Sequence, residues 1–204
     1  MNKIRFTSLT ASLVLAITFT ISCEDKDPNS FKDSRDGKTY KKVTIGSQTW
    51  MAENLNYETE KGSGCYENRP ENCEKYGMLY YWETALKACP DGWHLPSYDE
   101  FEVLNNTVGG KEVAGKKLKA KSGWGDYGGK SRNGTDDFGF SALPGIYDFW
   151  DGSSGGGSCQ LWSATEVNAD NAYNWYIYDD NDGTHWDDAP PKSYSLYNVR
   201  CIQD

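Results

Sequence analysis

Lys87 to Leu104 reads KACPDGWHLPSYDEFEVL, and this stretch carries the strongest local signal in the chain. Ser97 followed by Glu100 is an S-x-x-E capping box, in which each side chain satisfies an orphan backbone donor of a helix's first turn. Pro96 stands before the cap, where a missing N–H does not disturb the helix. Phe101, Leu104 and Val108 then fall on one helical face. Gly109-Gly110 ends the helix by taking left-handed geometry at little steric cost. Cys89 and Trp93 lie at the entrance to this short amphipathic helix, on either side of a rigid turn at Pro90 and Gly92. The pattern predicts a helix pinned to another part of the fold by a disulfide and a buried indole.

Far upstream, Met1 to Ser22 has a different character. Lys3 and Arg5 precede LTASLVLAITFTIS, an uncharged run too short for a comfortable membrane span and laid out like a secretory signal. Cys23 follows Ile21-Ser22, which resembles the lipobox of bacterial lipoproteins, although Thr20 stands where an aliphatic residue is usual. The expectation is a signal peptide over 1–22, lipidation of Cys23, a polar tether over 23–35 and one domain over 36–204. The alternative is an ordinary cleaved signal with Cys23 nearby by coincidence. A lipid chain would hold the domain on a membrane without spanning it. The acidic Glu24-Asp25 resembles a surface-export signal, so the expected address is the outer membrane or cell surface.

Removing residues 1–22 removes Lys3 and Arg5 and no acid, so the net charge of −9 becomes more negative by two. Phosphate binding needs a basic face, and nucleic acid is therefore excluded as an expected partner. Fourteen Tyr, eight Trp and 21 Gly with few aliphatic residues describe an extracellular domain with an aromatic core and many turns, of the kind that relies on disulfides. Five cysteines follow Cys23, and an odd number cannot all pair internally. Cys65 and Cys73 close a local loop around Pro70. Cys89 then pairs with Cys201, leaving Cys159 free, or with Cys159, leaving Cys201 free. Without a C-x-x-C, and with only His94 and His185 as histidines, no metal or other cofactor is expected.

Thr39–Ile45 and Gln48–Met51 read as a hairpin around Gly46-Ser47. Gly77–Trp82 reads as a strand running into a short helix over Glu83–Ala88, and Lys111–Lys121 as a second short helix weakened by Gly115. Ser122–Phe138 reads as a long loop, Phe138–Tyr147 as a buried strand, and Ser153–Ser158 as a flexible Gly/Ser segment followed by Cys159. Leu161–Glu166, the alternating Ala172–Tyr178 and the closing Ser195–Ile202 read as strands, with an acidic loop over Asp179–Lys192. The fold class is α+β, short helices on small antiparallel sheets, with first and last strands as neighbours.

Five segments occur in a recognisable order: IGSQTWMAENLNY (45–57), YGMLYYWETALKACPDGWHLPS (76–97), FGFSALPG (138–145), LWSATE (161–166) and YSLYNVRCIQD (194–204). Together they resemble the Fibrobacter succinogenes major paralogous domain. The resemblance implies a C-type lectin-like fold related to that of the formylglycine-generating enzyme, and a secreted or lipid-anchored address more than a reaction. It favours Cys89 with Cys201, since a bond from first helix to last strand is typical of lectin-like domains. It also assigns Trp50, Trp82, Trp93 and Trp162 to the core.

The remaining candidates for chemistry are few. His94 sits in the turn PDGWHLP and reads as structural, and His185 has no evident partner. The copper-binding cysteine pair of the formylglycine-generating relatives has no counterpart. Asp179-Asp180-Asn181-Asp182-Gly183 has the composition of a calcium loop without its ligand register. Trp150, Trp175, Tyr178 and Trp186, with Asp179 and Asp182, form a candidate ligand set, because indoles and phenols stack on sugar rings while carboxylates bind hydroxyls. Of these, Trp175 reads more as core than as ligand-binding. The expected function is a lipid-anchored surface or envelope module binding an extracellular glycan or protein through its loops, with no catalysis. The alternatives are a formylglycine-generating-type enzyme or a decayed relative, and a structural cell-envelope protein.

Overall fold

The structure is a computed structural model that describes residues 27–127, 129–149, 154–188 and 190–204. The leader, Cys23 and Trp150 lie outside the described residues.

Among the described residues two main sheets and four α-helices make up the fold, which is α+β and rich in loops. The smaller sheet has the order Ser30–Lys32, Thr39–Ile45, Gln48–Met51, Ile202–Gln203, Trp93–His94, every pair antiparallel. The larger runs Ser154–Gly156, Ile146–Phe149, Ser195–Asn198, Ser158–Glu166, Ala172–Tyr178, His185–Asp187, with Leu79–Tyr80 also on Ser195–Asn198. Its one parallel pairing joins Leu161 to Asn198. The helices are α1 (Pro70–Tyr76), α2 (Trp82–Ala88), α3 (Tyr98–Thr107) and α4 (Lys111–Leu118).

Helix α3 starts where its cap dictates. The Ser97 hydroxyl accepts from the Glu100 N–H at 3.3 Å, and the Glu100 carboxylate accepts from the Ser97 N–H at 2.7 Å. Phe101, Leu104 and Val108 are buried, and Gly109 and Gly110 follow with φ of 113° and 96°. The disulfides are Cys65–Cys73 and Cys89–Cys201, and Cys159 is free and buried. Trp93 is half-buried, with its ring 4.3 Å from that of Phe31.

Several expectations change. Ser30–Lys32 pairs with Thr39–Ile45, so the stretch read as tether ends in an edge strand and the folded part begins before Asp36. The closing segment is two strands in different sheets. Between them the Val199 carbonyl accepts from the Leu55 N–H (2.8 Å) and the Cys201 carbonyl from the Met51 N–H (3.0 Å). Ile202 therefore pairs with Trp50, in the second strand of the first hairpin. Phe138–Tyr147 is a strand only from Ile146. Upstream, Asp136 and Ser141 adopt left-handed backbone, and the Asp136 carboxylate binds the Ser141 N–H (2.8 Å) and hydroxyl (2.7 Å), which closes a turn. Within the long loop Asp126–Tyr127 and Lys130–Ser131 form a small hairpin, and Cys159 lies in a strand, its side chain buried.

Gly115, out of place by helix propensity, is explained by packing. A Cβ there would lie 2.2 Å from the Gly183 carbonyl oxygen. The loop is held this close because the Asp182 carbonyl accepts from the Lys116 N–H (2.8 Å) and the Lys111 carbonyl from the Thr184 N–H (2.8 Å). Glycine to alanine inside a helix ordinarily stabilises by about 1 kcal/mol. Gly115→Ala should instead destabilise by about 1–3 kcal/mol, the usual cost of overpacking. A urea melt reads the sign directly.

Candidate functional site

The strand Ala172–Tyr178 supplies the site through its period of two. Trp175 and Ile177 point into the core and are fully buried. Tyr176 and Tyr178 point the other way, where Tyr176 faces His185 on the edge strand and Gln160 on the inner one. The rings of Tyr176 and His185 stack at 5.4 Å, Tyr176 meets Tyr178 edge-on at 4.8 Å, and Tyr178 lies 5.8 Å from His185. His185 Nε2 is 3.0 Å from Asn181 Oδ1, which orients the imidazole from the preceding turn. Tyr178 is 44% exposed and caps the group. Burial first, and then Tyr178 beside it, push the Tyr176 phenol up to about 12, so it stays neutral at physiological pH. The result is an aromatic face on the sheet's edge, bordered by the acidic turn 179–183.

The sequence candidates divide around this face. Tyr178 belongs to it. Trp175 does not: it is a core residue, stacked on Phe101 at 5.1 Å, with its indole N–H 3.3 Å from Asn105 Oδ1. Trp186 faces helix α3, half-buried, stacked on Tyr98 at 4.2 Å and donating to the Glu102 carboxylate at 2.8 Å. Trp150 lies outside the described residues. Tyr176 and His185 were the members not singled out. The alternation of 172–178 placed Tyr176 beside Tyr178, but the partner of His185 is fixed only by sheet register.

Asp179 and the turn that carries Asp182 are held by cations of the chain itself. Asp179 pairs with Arg132 at 3.0 Å. Lys119 is buried, and its ammonium donates to the carbonyls of Asn181 (2.8 Å) and Asp179 (3.2 Å) while lying 4.8 Å from the centre of the Trp124 ring. A lysine thus occupies these turn carbonyls, the type of ligand a calcium ion would use. Lys192 repeats the arrangement on the carbonyls of Asn168 (2.8 Å) and Ala169 (3.1 Å), over Trp82. Among the described residues no three metal-ligating side chains cluster. Burial pushes the Cys159 thiol up to about 11, so it is not a thiolate at neutral pH.

His94 is a latch. Its Nδ1 is 2.6 Å from Asp204 Oδ1 and its Nε2 is 2.8 Å from Glu100 Oε1, which ties the chain end to the capping box. Burial alone would lower its pKa, but these two bonds outweigh burial and raise it above 6.5. Burial would raise Glu100, yet bonds from the Ser97 N–H and from His94 hold it below 4.5. The His94 contribution is full below 6.5 and is lost as pH rises through its raised folded value. The Glu100 contribution is present above 4.5 and is lost as pH falls through its lowered folded value. The latch therefore acts fully between those two pH values. In His94→Gln the alkaline fall in urea midpoint should disappear, while the acid limb persists.

Among the described residues no helix is long and apolar enough to cross a membrane. No curated protein and no solved structure matches the chain. The family model of the Fibrobacter succinogenes major domain matches residues 43–203, which takes in all four helices and both sheets apart from Ser30–Lys32 and the start of Thr39–Ile45. The chain belongs to the Fibrobacter succinogenes major domain family.

Proposed function

We propose that the protein is a lipid-anchored, extracytoplasmic binding module of lectin-like fold, without catalysis, that takes a neutral sugar on the Tyr176–Tyr178–His185 face. The observation that carries this reading is the exposure of Tyr178 on an aromatic group that the core does not need. A pyranose stacks its apolar face on such rings, and the amide and carboxylates of the adjoining turn take its hydroxyls. The chain's negative charge disfavours an anionic polysaccharide on this face. Against the formylglycine-generating alternative, the Cys89 bond removes Cys201 from any thiol pair.

A glycan array and polysaccharide pull-down with the full-length protein in detergent test the face. Tyr178→Ala should weaken binding about tenfold, a loss of about 1.4 kcal/mol, with an unchanged melting temperature because the side chain is exposed. Failure to retain any neutral glycan, or equal retention by the variant, would overturn the proposal. Anchoring is read separately: Cys23→Ser should move the protein from the membrane to the soluble fraction.

A further inference from the structure

A cleft of about 320 Å³ lies away from the aromatic face, and neither Tyr176, Tyr178 nor His185 lines it. Its wall includes Glu53, Asn54 and Asn56 after the first hairpin, Tyr76 and Gly77 at the end of α1, and Arg200 from the segment that crosses between the sheets. These residues come from three of the segments that carry the family resemblance, and Ser141 adds a fourth. The packing around it is close: Gly77 has φ 78°, and a Cβ there would meet the Asn54 Cβ at 2.7 Å.

The chemistry of the wall is unbalanced. Arg200 is 1% exposed, and among the described residues no carboxylate is within ion-pair distance of it, although the charges of Glu53 and Asp136 act on it from further off. Its Nε and Nη2 donate to one atom, Asn54 Oδ1, at 3.1 and 2.8 Å. Its Nη1 donates to the Phe140 carbonyl, and the guanidinium carbon lies 4.4 Å from the centre of the Phe140 ring. The Asn54 amide is held in this sense because its Nδ2 donates to the Tyr76 carbonyl at 2.9 Å. Every partner of the cation is neutral. A buried charge is ordinarily paired, because leaving it uncompensated is costly. Three of the guanidinium's five N–H donors are engaged, which leaves two. Asn56 Oδ1, on the same cleft, is a buried acceptor without a donor. Lys38, Lys75, Glu53 and Glu74 also line the cleft.

We propose that this cleft binds a small carboxylate that carries a hydrogen-bond donor on a neighbouring atom. The carboxylate accepts from Arg200 and supplies a counter-charge in direct contact, in the two-pronged geometry that guanidinium groups favour. The adjacent donor gives its hydrogen to Asn56 Oδ1. A uronic acid offers this pair as carboxylate and hydroxyl, and a peptide C-terminus offers it as carboxylate and amide N–H. The site is independent of the proposed sugar face.

The test is calorimetric titration of the full-length protein in detergent with D-glucuronate and with N-acetyl-alanine. The neutral counterparts are D-glucose and N-acetyl-alanine methylamide. At least one acid should bind at least tenfold more tightly than its neutral counterpart. Binding by glucuronate alone assigns a sugar acid, by acetyl-alanine alone a peptide end, and by both the shared carboxylate chemistry. Arg200→Lys keeps the charge and loses the fork, and should weaken the acid at least tenfold. Because that variant risks misfolding, Asn56→Asp is the second arm: it is isosteric, puts a carboxylate into the cleft, and should abolish acid binding without lowering the melting temperature. No binding of either acid up to about 10 mM, equal binding of the neutral compounds, or unchanged acid binding in folded Asn56→Asp would each overturn the proposal.

Discussion

Replacing Cys89 and Cys201 together by alanine should lower stability by about 4–5 kcal/mol, whereas replacing Cys65 and Cys73 should lower it by about 2–3 kcal/mol. The bonds close 112 and 8 residues respectively. In the chain-entropy account the longer loop restricts the unfolded state more. The native side points the same way. Cys201 is fully buried in the segment that passes between the sheets, and its carbonyl takes the Met51 N–H. Cys89 ends α2 and opens the turn to α3, so the bond ties the best-formed helix entrance to the crossing segment. Against a typical total of about 5–15 kcal/mol, this one crosslink is a large share of the stability. Guanidinium melts of the two double variants make the comparison, and equal shifts would refute the loop-length argument.

What could be read beforehand follows the range of the interactions. Helix α3 was legible because its signals are local: Ser97 and Glu100 satisfy each other's backbone within one turn, and two glycines stop it. The first hairpin was legible for the same reason. The segment Ser195–Ile202 was not, since its alternation is unbroken across a change of sheet. The break comes from Val199 and Cys201 bonding to Leu55 and Met51, and from burial of the Arg200 guanidinium, which no neighbouring residue announces. Phe138–Tyr147 misled in the opposite sense. Its large-small pattern suits a strand, but Asp136 captures Ser141 and makes a turn. The buried lysines contradict composition outright, because lysine is rarely buried without partners. Lys119 and Lys192 are internal cations for loop carbonyls that lie 60 and 24 residues away. At the aromatic face, the period of two grouped Tyr176 with Tyr178, but not which side of the strand is core. Asn174, on the same side as the tyrosines, is itself fully buried and donates to the Leu161 carbonyl at 3.1 Å.

Trp175→Ala should cost about 3–5 kcal/mol, the range for truncating a large buried aromatic. It should affect ligand binding only through loss of the folded state. The indole is fully buried, stacked on Phe101 and edge-on to Phe140 at 6.3 Å, so its removal opens a cavity lined by rings held by α3 and by the 136–141 turn. Its N–H contributes separately. Asn105 Oδ1 accepts both from it and from the Thr184 hydroxyl at 2.9 Å, which fastens α3 to the residue just before the edge strand. Trp175→Phe keeps most of the ring packing and leaves Asn105 its Thr184 donor, so it should recover the greater part of the loss. The contrast with Tyr178→Ala is the informative measurement: the core substitution should lower the melting temperature, and the surface one should spare it while weakening retention on glycan. A Trp175→Ala protein that melts like the parent but no longer binds would overturn the core assignment and return Trp175 to the ligand face.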